Sequence, residues 1–291
     1  AFDKCKGSLS AREICSLAKD VISSRSSLDH VQTMPLTDGG EGFADLLTNA
    51  KDGSFHSVFA KDSRGREKEV KIGIISSADI DPDLQEFINL PCPGNIAVLE
   101  MSSIAGLADL MEEERNPWLT STFGVGQLLK HCDKYEVSLI LLGIGGSSTN
   151  DMGVGALSSL GVKFIDGDGL PVSFPSPETW SNIKEISIES LSTLPPIRIA
   201  CDVSNQLLGK GGATYQFGLQ KGLCPDRKQE MEEEMLHMSA SLARAFQKPL
   251  SFREQEGSGA AGGIGYGLSL AFDTSFVSGF SLISISNLSL I

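Results

Sequence analysis

The chain has 291 residues, enough for two domains of ordinary size, and its 41% hydrophobic and 21% charged content excludes a disordered polymer. A net charge of −13, with no dense Lys/Arg run, excludes the basic face of a nucleic-acid binder. No apolar stretch reaches transmembrane length, and residues 1–7 lack the apolar centre of a signal peptide, so a cytoplasmic protein with no membrane partner is expected. The six cysteines (Cys5, Cys15, Cys92, Cys132, Cys201 and Cys224) form no C-x-x-C pair and read as cytoplasmic thiols. The four scattered histidines offer no zinc spacing.

In chain order, Ser8 or Ser10 with Glu13 reads as the cap of a first helix, in which Ile14, Leu17, Ala18, Val21 and Ile22 recur at helical spacing. A short strand is predicted over 29–34, then a loop, Thr37-Asp38-Gly39-Gly40-Glu41-Gly42, that runs into a second helix through Phe43, Leu46 and Leu47. This rhythm is that of an α/β domain. After Asn49 the pattern changes to two strands, 56–60 and 69–75, joined by a hairpin-like turn at 62–66. Residues 76–95 read as a surface excursion and 96–101 as a strand. Residues 137–142 form the most apolar strand, and 197–201 a shorter one ending at Asp202. A helix over 226–246 carries Met231, Met235, Met238 and Leu242 on one stripe, which reads as core packing.

Glycine clusters mark the candidate chemistry. The loop 143–151 follows a buried strand. It combines Gly143, Gly145 and Gly146 with Ser147, Ser148, Thr149, Asn150 and Asp151, which suits a cradle for phosphate or carboxylate, the rival reading being a glycine-rich turn needed only for close packing. It is neither a Walker loop, since no lysine follows, nor the dinucleotide fingerprint, since its third glycine is misplaced. Asp38 and Glu41 flank two glycines before a helix, an arrangement that suits magnesium or a hydroxyl and equally an ordinary helix cap. Lys4 and Lys6 stand near a helix N-terminus, where a cation can neutralise anionic oxygens, although an exposed lysine more often has no such role. Asp202, at the carboxyl end of a strand, is placed to accept a hydroxyl proton or to make an Asx turn. Lys221 in Gln220-Lys221-Gly222, and Gly259 and Gly262 in the 257–263 cluster, are further candidates for nucleotide contact.

Set in order, these segments, together with Leu99-Glu100-Met101-Ser102-Ser103, Thr120-Ser121-Thr122-Phe123-Gly124-Val125-Gly126 and Ala200-Cys201-Asp202-Val203-Ser204-Asn205, resemble the bacterial-type (type I) glycerate kinase family along the whole chain. The resemblance implies phosphorylation of D-glycerate by ATP with Mg2+, with 2-phosphoglycerate the favoured product. It also implies an α/β fold: a split flavodoxin-like domain, here incomplete, with an inserted restriction-enzyme-like α/β domain and an active site in the cleft. On that basis residues 1–60 belong to the flavodoxin-like domain, 61–278 to the insertion, and 279–291 begin the return. The chain reads as lacking the family's first strand and last segment.

The resemblance carries over these roles. Asp202 is the base, Lys6 stabilises the transferring oxygens, and Asp38 and Glu41 hold Mg2+ or substrate. Ser147, Ser148, Asn150 and Asp151 hold substrate, while Gly145, Gly146, Lys221, Gly259 and Gly262 meet the nucleotide. A homo-oligomer is compatible with this reading. The rival readings are an inactive anion-binding fragment, suggested by the missing segment, and a dehydrogenase, against which the absent dinucleotide fingerprint counts.

Overall fold

The computed structural model describes residues 1–5, 8–25 and 30–288. Helix α1 (Ala11–Arg25) opens with a reciprocal cap: the Glu13 N–H donates to Ser10 Oγ at 3.2 Å and the Ser10 N–H to Glu13 Oε2 at 2.8 Å. Helix α2 (Phe43–Ala50) follows the 37–42 loop, and strands β1 (Ser54–Lys61) and β2 (Glu67–Ser76) form the expected hairpin. Its turn is held by Asp62, whose Oδ1 accepts from the Arg64 and Arg66 N–H groups, each at 2.9 Å. The chain continues through α3 (Pro82–Phe87), β3 (Asn95–Glu100), α4 (Ser102–Ala105), α5 (Phe123–His131), β4 (Val137–Gly143) and α6 (Val154–Ser159). Then come β5 (Lys163–Asp166), β6 (Ile183–Ser187), β7 (Ile197–Ala200), α7 (Ala213–Phe217), α8 (Lys228–Ala245), α9 (Ile264–Ala271), β8 (Thr274–Val277) and α10 (Gly279–Leu288).

Six strands make one mixed sheet in the order β1-β2-β3-β4-β7-β8. The first two pairings are antiparallel and the remaining three parallel. Alternate residues of the parallel strands point to opposite cores. Ala97, Leu99, Ile140, Leu142, Ile197 and Ile199 pack with α5 and α9, whereas Ile96, Val98, Leu139, Leu141 and Ala200 pack with α2, α3 and α10. Burial on both faces explains why β4 reads as an unbroken apolar run. A third core gathers the α8 stripe (Met231, Met235, Met238 and Leu242) against Leu157, Phe164 and Tyr266. Each such side chain contributes about 2 kcal/mol of burial.

Several expectations change. Residues 30–34 form no strand, and Asp29 lies outside the described residues; the segment is tied by a single parallel bridge, Phe2 to Pro35, too little for a ladder. The 76–95 excursion is anchored rather than superficial, because Ile80, Leu84 and Ile88 enter the core. In α1 the buried residues are Ala11 and Cys15, while Leu17 is 53% exposed. The Ser/Ile/Leu alternation after Phe280 belongs to a helix over its described part. The six-stranded sheet draws on residues from 54 to 277.

Candidate active site

The parallel strands β3, β4, β7 and β8 end side by side, and their loops build one site. The Met101 N–H donates to Gly143 O at 2.8 Å and the Cys201 N–H to Val277 O at 2.9 Å, so the four carboxyl ends are level. Glycines let the loops touch. A Cβ on Gly145 would lie 2.7 Å from Gly40 Cα, one on Gly39 2.6 Å from Ala200 O, and one on Gly279 2.8 Å from Gly39 N. Gly39 also has φ +83°, in the left-handed region that favours glycine. The Gly145 N–H donates to Gly39 O at 3.0 Å, which joins the loop 143–151 to the loop 37–42.

A cavity of about 700 Å3 lies over these loops, walled by Lys4, Asp38, Glu41, Glu100, Arg115 and Lys221 among others. A second hollow, on the side of α1 and β2, shares Lys4, Glu41, Glu100, Ser103 and Ala108 with it. Together they form a cleft with two compartments. Lys4 Nζ donates to Asp38 Oδ1 at 3.2 Å, and the Gly40 N–H donates to the same oxygen at 3.2 Å. Burial alone would raise the Asp38 pKa, but the Lys4 charge and these hydrogen bonds together hold it below the usual carboxylate range. Glu100 is buried at the tip of β3, accepting from Ser102 Oγ at 2.6 Å and the Ala44 N–H at 3.2 Å. There burial wins, and the carboxyl is pushed above its usual range despite those donors. Lys221 donates from Nζ to Ser147 Oγ at 3.0 Å and Thr149 O at 2.6 Å, and burial pulls its pKa down to about 7 against the charge of Asp151.

The glycerate kinase family model matches residues 1–288. The chain belongs to the glycerate kinase family. It is 34% identical over 258 residues to the glycerate kinase of Haemophilus influenzae, covering 88% of this chain and 63% of that one. Against the glycerate 2-kinase of Escherichia coli K12 it is 29% identical over 287 residues, covering 98% and 70%. A solved structure described as a glycerate kinase 2 from Salmonella typhimurium LT2 superposes with a TM-score of 0.77 at 28% identity, covering 99% of this chain and 73% of that one. The chain thus spans roughly two thirds of the length of these relatives.

The structure separates the expected site residues of this family member into three groups. Asp38, Glu41, Gly145, Gly146, Ser147, Asp202 and Lys221 all line the cavity. Ser148, Asn150 and Asp151 are fully buried away from it, and their contacts are internal. Ser148 Oγ donates to Ala105 O at 2.9 Å, and Asn150 Nδ2 donates to Thr214 Oγ1 at 3.3 Å. Asp151 accepts from the Thr122 N–H and hydroxyl, both at 2.8 Å, and from the Gly153 and Gly155 N–H groups at 3.2 Å, so it caps α6 rather than facing a ligand. Gly259 and Gly262 also serve close packing, the first against Gln206 O and the second against Thr149 O, leaving Ala260 and Ala261 at the cavity wall. Lys6 lies outside the described residues.

Asp202 has both oxygens engaged: Ser278 Oγ donates to Oδ1 at 2.6 Å and the Phe280 N–H to Oδ2 at 2.9 Å, at the start of α10. Burial, and then the nearby carboxylates of Asp202 and Asp38, push the thiol of its neighbour Cys201 up to about 11, which disfavours the thiolate at neutral pH.

Glu100 and Arg115 are the residues that sequence reasoning assigned no role. A carboxylate closing the apolar run Ile96-Ala97-Val98-Leu99 was a usable signal for the first. Arg115 follows Glu112, Glu113 and Glu114, a solvated-looking stretch, and only folding brings it to the wall. Among the described residues no three His, Cys, Asp or Glu side chains cluster to hold a metal, and no helix is long and apolar enough to cross a membrane. Asp38 and Glu41 offer two carboxylates at one wall, the donor set of a Mg2+ carried in by phosphates and still largely hydrated.

Proposed function

We propose that this chain carries a site that transfers the γ-phosphoryl group of MgATP to D-glycerate and releases ADP and 2-phosphoglycerate. The observation that carries this reading is the convergence, at the carboxyl ends of four parallel strands, of a glycine-rich loop with basic side chains and carboxylates in one two-compartment cleft. Family membership supports it, as does the similarity to the Escherichia coli protein named glycerate 2-kinase. Two compartments meeting at Glu41 and Glu100 suit two reactants held end to end.

In the transfer, the hydroxyl oxygen of glycerate forms a bond to Pγ while the bond from Pγ to the β,γ-bridging oxygen breaks, and ADP leaves with that electron pair. The hydroxyl proton passes to Asp202, whose oxygens retain acceptor capacity beyond the Ser278 and Phe280 contacts. Such a transition state is loose, so positioning and charge neutralisation matter more than strong base catalysis. Lys4 supplies positive charge at the wall, Lys221 brings a hydrogen-bonding amine to it, and Asp38 with Glu41 would hold Mg2+, which supplies charge neutralisation on the phosphates when bound. Ser148, Asn150 and Asp151 act indirectly by fixing the loop that presents Ser147.

The test is ADP release with D-glycerate and MgATP, with 31P NMR of the product to separate the 2- from the 3-phosphate. Glycerate-dependent ADP with a 2-phosphate signal supports the reading; ADP release that ignores glycerate overturns it.

A further inference from the structure

Arg115 is the unexplained cation of the cleft. Its Nε is buried with no hydrogen-bond partner, and no ion pair involves its guanidinium among the described residues, although it lines the cavity. The other cations there differ. Lys4 is paired with Asp38, and Lys68, in the adjoining compartment, with Asp109 at 2.7 Å. Its position is fixed by backbone packing, since a side chain on Gly222 would collide with Arg115 O; the residue after Lys221 thus lies against Arg115 itself. Across the same cavity, Lys221 Nζ reaches Ser147 Oγ, and the Gly146 and Ser147 N–H groups make no hydrogen bond among the described residues. Gly146 has φ +74°, the left-handed turn by which successive amides form an anion-binding nest.

A buried guanidinium N–H without an acceptor is costly, and a second basic side chain, Lys221, lines the same cavity. The acceptor that this N–H lacks within the described residues is one that an anion from solution would supply. We propose that Arg115, Lys221 and the Gly146–Ser147 amides form one anion-binding subsite for the carboxylate or phosphoryl oxygens of a reactant. Arg115 is the residue that fixes the anion's orientation. The planar guanidinium presents paired donors to two oxygens of one group, which a lysine point charge does not. This inference deepens the kinase reading and rests on it for the identity of the reactants.

Titration calorimetry of the whole chain with D-glycerate and, separately, with MgADP tests the subsite and its source. Arg115→Met should weaken one of the two by on the order of 100-fold and leave the other within about threefold. Loss confined to D-glycerate makes the subsite a carboxylate site; loss confined to MgADP makes it a phosphoryl site. Arg115→Lys, which keeps the charge and most of the stem, should recover only part of the affinity, and it replaces the Met variant if thermal unfolding shows that the latter fails to fold. Unchanged binding of both ligands by a folded variant, equal weakening of both, or no binding of either by the wild-type chain overturns the proposal. Selective loss in a chain whose wild type releases no glycerate-dependent ADP would overturn the kinase reading and leave the subsite standing.

Discussion

At the scale of single residues, Lys221 and Asp202 show how one side chain serves both structure and site. Lys221 is only 2% exposed, with its ammonium on Ser147 and Thr149. Folding lowers its pKa from 10.5 to about 7. Between those values the unfolded chain holds a proton that the folded chain does not, so stability rises with pH across that window. The slope from this residue is about 1.4 kcal/mol per pH unit, and below pH 7 it vanishes. Denaturant titrations from pH 7.5 to 9.5 should show Lys221→Met lacking that rise; parallel curves for the two proteins would mean that the lysine is not desolvated in solution. For Asp202, the Asn variant keeps an oxygen to accept from the Phe280 N–H and loses the ability to take a proton. Asp202→Asn should therefore melt near wild type and lose at least tenfold in kcat, whereas Asp202→Ala should also lose about 1 kcal/mol of stability with its cap. Near-normal turnover of the Asn variant would leave Asp202 as a cap alone.

Elements matter here through their ends. The helix α10 and the loops after β4 and β7 meet the loop before α2 at glycine backbones, so a single methyl group acts on the site as a wedge. Gly145→Ala places a carbon 2.7 Å from Gly40 Cα, where both neighbours are backbone and cannot rotate away. The two loops must separate, which displaces Asp38 from the wall it shares with Ser147. A folded protein with kcat/KM lowered about 100-fold is expected, read from circular dichroism and steady-state kinetics on the same sample. Full activity would show that the loops are not held in mutual register. Asp151 acts at this scale too. It ties the start of α6 to Thr122 at the start of α5.

On the scale of the whole molecule, the sheet is braced from within by Arg198 of β7. Its guanidinium is buried and donates to Ile88 O at 2.7 Å and Asn89 O at 3.1 Å, 110 residues earlier in the chain. Those bonds hold the segment after α3 against the sheet at β7, between β4 and β8. Arg198→Met would leave the two carbonyls short of a donor and should cost about 2 kcal/mol, seen as a lower thermal midpoint with earlier proteolysis between residues 77 and 94. An unchanged midpoint and cleavage pattern would assign the anchoring to Ile80, Leu84 and Ile88 instead.

The sequence by itself determined what depends on local pattern. Ser10 and Glu13 mark the first helix because a capping box needs only three residues of spacing, and β4 and the α8 methionine stripe are legible because burial imposes periodicity. The loop 143–151, Asp38, Asp202 and Lys221 were likewise recognisable by residue type and order. Only the tertiary structure decided which polar residues face the cavity. Ser147 and Asp151 look alike in a polar run, yet one lines the cleft and the other is sealed beneath it, because the outcome depends on Thr122 and Lys221 from distant segments. Arg115 carried no signal at all. Its role follows from Gly222 admitting its backbone and from an unpaired guanidinium among groups brought together by long-range contacts, which no local spacing records.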